Sequence, residues 1–170
     1  MDTNTGLLIA RLVLGLLMAG HGAQKLFGWF GGHGLAGVSG FMEQLGFRPG
    51  RPFALAAALS EVVSGLLVAL GFLGPIGPAI MLSVMIVAAV TVHWRNGVFV
   101  TSNGIEVPLL YAAGAVALGL TGPGSFSVDA LLGLASSWTP LVTWTILILG
   151  VAGGIGNLAV RRPATASSNQ

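Results

Sequence analysis

Residues Phe53–Leu73, FALAAALSEVVSGLLVALGFL, form an apolar run long enough to cross a bilayer and broken by a single ion, Glu61. Crossing the hydrocarbon takes about 20 helical residues at 1.5 Å each. An acid at mid-bilayer costs roughly 2.5–3.5 kcal/mol on insertion scales, so Glu61 is expected to face the protein interior and to have a partner. The candidates for that partner among the other polar residues within or beside apolar runs are Arg11, His21, Gln24, Lys25, His93 and Glu106. The partner, and any chemistry, should be sought among them.

The rest of the chain fits the same solvent. Of 170 residues, 54% are hydrophobic and 7% charged, against roughly 25% charged in soluble domains. This is the composition of an integral membrane protein. The net charge of +2 comes from scattered arginines and builds no basic face, so no nucleic-acid partner is expected. Cysteine is absent. That excludes thiolate nucleophiles, persulfide carriage and iron–sulfur ligation by this chain. The residues before Gly6 include Asp2 and no basic group, unlike a cleavable signal, so the first span is expected to be retained.

Working outward, five runs read as spans: Leu7–Phe27, Phe53–Leu73, Ile76–Trp94, Val107–Leu120 and Leu141–Val160. The fourth is the shortest, about 21 Å of helix. Between the first two, Leu35, Val38, Met42 and Leu45 recur opposite Ser39, Glu43 and Gln44, which predicts a short amphipathic helix at the membrane interface. Gly74-Pro75 predicts a tight helical hairpin, and the stretch from Ser127 to Trp138 is too short to cross. The fold class expected is therefore all-α: a polytopic transmembrane helical bundle of four to five spans. With five spans, Arg48, Arg51, Arg95, Arg161 and Arg162 share one side. The positive-inside rule makes that side cytoplasmic, with the N-terminus outside and the C-terminus inside.

On the first span Arg11, Met18 and Lys25 are seven residues apart and share a stripe, with His21 and Gln24 beside it. Depths measured from the basic end put His21 at roughly 9 Å, Glu61 at roughly 12 Å and Arg11 at roughly 24 Å. His21 and Lys25 are thus the expected partners of Glu61, while Arg11 lies at the level of Asp129. His93 ends the third span and Glu106 begins the fourth. Together with His21, Gln24, Lys25 and Glu61 they are expected to line one cytoplasm-facing pocket. Imidazole and carboxylate side by side suit proton transfer, so Glu61, His21 and His93 are candidate relay residues. Lys25, Gln24, Glu106 and Arg11 are candidates for binding a substrate. No His-x-x-x-His or Glu-x-x-His spacing occurs on one helix, and no metal site is expected.

The motif His21-Gly22-Ala23-Gln24-Lys25-Leu26-Phe27-Gly28 resembles the DoxX family of bacterial and archaeal membrane proteins. So do the Glu61 helix ending Gly65-Leu66-Leu67-Val68-Ala69-Leu70-Gly71 and His93-Trp94 followed by Asn103-Gly104-Ile105-Glu106. Gly122-Pro123-Gly124-Ser125-Phe126-Ser127-Val128-Asp129 extends the likeness, which covers roughly residues 7–132. The resemblance implies a four-helix membrane domain over 1–132; the run Leu141–Val160 departs from that pattern as an additional C-terminal span within 133–162, and the Ser-, Ala- and Thr-rich stretch at 163–170 is expected to be a disordered tail. The resemblance also implies a cytoplasmic-membrane role linked to redox chemistry or oxidative stress, carried out with partner proteins, with a quinone as candidate cofactor. Two alternatives stand beside it: a non-catalytic membrane anchor or scaffold, and a small-solute carrier, against which the lack of evident repeats weighs.

Overall fold

Helix α1 (Thr3–Phe27) begins where the Asp2 carboxylate accepts the Asn4 amide at 3.1 Å, and it ends at Gly28, whose φ is +72°. The computed structural model of the protein describes residues 2–162; the tail expected at 163–170 lies outside the described residues. After α1 the chain runs through α2 (Gly34–Gln44), α3 (Gly50–Leu70), α4 (Ile76–Ala88), α5 (Glu106–Thr121), α6 (Val128–Leu131) and α7 (Pro140–Ala159). A π-helical turn, Ala89–His93, and a 3-10 turn, Trp94–Asn96, prolong α4.

Helices α1, α3, α7 and the prolonged α4 are each long and apolar enough to cross a membrane, and α5 is a shorter apolar helix of 16 residues. The protein is an all-α, multi-pass membrane bundle with no strand among the described residues. The interfacial helix expected after the first span is α2. Its Val38 is buried, while Glu43, assigned above to the polar face, accepts the Gly50 amide at 3.0 Å and so caps α3. Arg161, at the end of α7, donates to the Leu45 carbonyl at 2.9 Å and lies 5.8 Å from the Phe47 ring centroid, beside the α2–α3 link. The chain reverses at each span, so Arg48, Arg51, Arg95 and Arg161 share one end of the bundle, called the basic end below.

The second span stops earlier than the apolar run. Phe72 donates to the Leu67 carbonyl at 2.9 Å and Gly71 to Val68 at 3.1 Å, a left-handed C-terminal cap that ends α3 at Leu70. Glycine is needed at position 71 twice over. Its φ is +62°, and a Cβ there would lie 2.6 Å from the Ser127 Cβ.

Small residues set the helix spacing. In the α1–α3 seam a Cβ on Gly65 would lie 2.5 Å from the Ala19 nitrogen, and one on Gly15 would lie 2.6 Å from the Ala69 nitrogen. In the α4–α7 seam a Cβ on Gly150 would lie 2.5 Å from the Ala79 carbonyl oxygen. Such contacts let backbones approach in a solvent where apolar burial gives little driving force. The core they enclose holds Met18, Val68, Met81, Met85, Tyr111, Ala115 and Leu118.

Candidate functional site

The α1–α3 seam decides what Glu61 meets. Gly22 packs on the α3 backbone, a Cβ there lying 2.7 Å from the Ala58 carbonyl oxygen and the Val62 nitrogen. Lys25, one turn further toward the basic end and on the same stripe, reaches back along this contact. Its ammonium donates to Glu61 Oε1, forming an ion pair. The two partners are unequal: the Glu61 side chain is 3% exposed and that of Lys25 29%. Glu61 Oε2 is buried and has no hydrogen-bond partner among the described residues. An ammonium carries three donors, so Lys25 keeps capacity beyond the bond to Glu61.

This pair sits in the wall of a cavity of about 760 Å³ bounded by α2, α3, α4 and α7, with the end of α1 above it. Gln24 lines it too, as do His33, Ser60 and Thr91. The remaining wall is mostly apolar. Thr91 lies within the π-helical turn that prolongs α4, a distortion often found where a helix serves function. The partly exposed Lys25 ammonium, anchored by Glu61 and flanked by Gln24, can orient a polar head group while apolar walls hold the rest of a ligand.

Of the residues expected in one pocket, the structure brings together Gln24, Lys25 and Glu61 and leaves the others out of the cavity wall. His21 is not hydrogen-bonded to Glu61. It precedes Gly22 by 100° of helix and so turns toward α5, where its ring stands edge-on to Tyr111 at 5.9 Å and its Nδ1 lies 3.2 Å from Gln24 Oε1. His93 and Glu106 hold the link between α4 and α5: His93 Nδ1 lies 2.8 Å from the Asn103 carbonyl oxygen, and Glu106 Oε2 accepts the Val100 amide at 2.7 Å. Both engage backbone of the same link, as the chain order suggests, and neither lines the cavity.

Arg11 lies toward the opposite end of the bundle and is also absent from the cavity wall. Its guanidinium donates to the carbonyls of Pro123 and Phe126. Beside it Asp129, fully buried, accepts the Leu73 amide at 2.9 Å, the Gly74 amide at 2.7 Å and the Trp138 indole at 2.7 Å. Leu73 has a φ of +59° and Gly74 of +47°. Left-handed backbone at a branched residue is costly, and the carboxylate offsets that cost by taking both amides of the turn.

Sequence reasoning missed His33, which follows two glycines in a glycine-rich link, and Ser60 and Thr91, which look like ordinary hydroxyls in apolar helices. It also missed Tyr111, the only tyrosine, 8% exposed in the core. A single tyrosine inside a span is a signal that was available.

Comparison with known proteins agrees with this architecture. The DoxX family model matches residues 6–94, which include His21, Gln24, Lys25, Glu61 and His93. The inner membrane protein YqjF of Escherichia coli (strain K12) is 30% identical over 129 residues, 76% of this chain and 93% of that protein. No solved structure matches significantly.

Proposed function

The chain belongs to the DoxX family, and from its site we propose that it is a membrane subunit of a redox complex that binds a quinone in the cavity beside Glu61. The observation that carries this reading is the Lys25–Glu61 pair standing at low exposure in the wall of a large, otherwise apolar cavity. The pair leaves a carboxylate oxygen without a partner and an ammonium with donors to give. Lys25 and Gln24 would bond the ring oxygens, and Glu61 would exchange protons with those oxygens as redox partner proteins of the complex supply or withdraw the two electrons. No thiol is present in the chain, so sulfur chemistry in such a complex would fall to partner proteins. The basic end would face the cytoplasm of a cell whose cytoplasmic membrane holds the protein.

Purified protein in lipid nanodiscs should bind a benzoquinone saturably, and Glu61→Gln should weaken binding at least about tenfold while the bundle stays folded. Equal binding by Glu61→Gln and by the unaltered protein would contradict the proposal. The scaffold reading is favoured by a different observation, the use of Arg11, His93, Glu106 and Asp129 to hold backbone. Under that reading Glu61→Gln lowers bundle stability and recovery of the complex together, with no separable loss of binding.

A further inference from the structure

The cavity is much longer than a ring. Along α4 its lining runs from Ile76, the first residue of the helix, to Val92 near the basic end, about 24 Å of helical rise. Helix α3 walls only the half nearer the basic end, from Phe53 to Glu61. Beyond Glu61 the facing wall is α7, through Ile146, Leu149 and Gly150. That wall exists because Gly150 rests on the Ala79 backbone and Gly154 on Ser83, where a Cβ would lie 3.0 Å from the carbonyl oxygen.

The polar groups of the lining gather toward one end, among apolar residues such as Phe41, Met42, Phe47 and Phe53. Gln24, Lys25, His33, Glu61 and Asn157 belong to the part nearer the basic end. The far part, between α4 and α7, is aliphatic except for Ser83. Lys25 and Glu61 neutralise each other, so an anionic head would meet the acid and a cationic head the ammonium. An uncharged hydrogen-bonding head fits both.

We propose that the cavity is an elongated groove for an uncharged, long-tailed amphiphile, with its ring at the Lys25–Glu61 pair and its aliphatic tail laid along the α4–α7 seam. Helix α7, which lies outside the segment matched by the family model, then determines whether a long tail is accepted. This rests on the ring-binding reading above and adds the tail and the element that selects it.

The test uses the full chain in nanodiscs and two probes: a tail-less benzoquinone and the same ring bearing a long isoprenoid tail. Each affinity is corrected for the probe's uptake by protein-free nanodiscs. Ile146→Trp places bulk in the tail region. Leu149→Trp does so from a position already 63% exposed, where the fold is least at risk. The unaltered protein should favour the long-tailed probe, and each substitution should weaken that probe about tenfold while changing the tail-less one less than about twofold. If both probes bind alike, or the substitutions weaken both alike, the tail groove is wrong and ring binding stands. If neither probe binds, the ring-binding reading fails and takes the groove with it.

Discussion

The two ends of the bundle treat buried ions differently. Toward one end, Asp129 accepts three donors, two of them backbone amides of the α3–α4 turn, and Arg11 donates to two carbonyls of the α5–α6 loop. Neither ion lines the large cavity. Nearer the basic end, Glu61 has one partner, Lys25, and one oxygen without any among the described residues, and both side chains face the cavity. A carboxylate that fixes three donors acts as a clamp on chain reversal. A carboxylate held by one ammonium, itself partly exposed, leaves that cation's remaining donors facing the cavity. Burial alone does not separate the two cases, since Asp129 and Glu61 are both almost wholly enclosed.

The comparison predicts a graded series. Asp129→Ala should cost the most, about 3–5 kcal/mol, because it releases three buried donors at once and frees a strained turn. Reversible unfolding in detergent measures it, and quinone binding per folded molecule should be unchanged. Lys25→Met should cost about 3 kcal/mol by leaving the Glu61 carboxylate buried without its cation. Unlike the first, it should also remove binding. Gly65→Ala puts a methyl against the α1 backbone and should cost about 1–3 kcal/mol. By pushing α1 from α3 it should weaken the ion pair as well, so binding and melting temperature should fall together. Glu43→Ala removes a cap on α3 and should cost about 1 kcal/mol, with binding preserved.

Much of this contrast could be read before the fold was known. The seven-residue stripe from Arg11 through Met18 to Lys25, with helix rise, placed Lys25 beside Glu61 and Arg11 near Asp129. It failed for His21 because a residue next to Gly22 on the helix turns by 100°, and which flank packs on α3 depends on the small residues Gly15, Gly22 and Gly65. His93 and Glu106 were placed at the two ends of one link near the same face, but sequence could not show that backbone groups of that link, Asn103 and Val100, would engage them. The same limit hid the role of Asp129: its partners are mostly amides, and every residue but proline has one. The cavity was illegible because its wall joins helices far apart in the chain, α1 with α7, through packing that no local pattern encodes.

One variant separates the two ends most directly, the double substitution Glu61→Leu with Lys25→Met. Replacing a buried ion pair by apolar groups of similar size is often neutral or stabilising. The account therefore predicts a melting temperature within a few degrees of the unaltered protein and quinone affinity in nanodiscs reduced at least about tenfold. A double variant that is folded and still binds quinone as tightly as the original would contradict it.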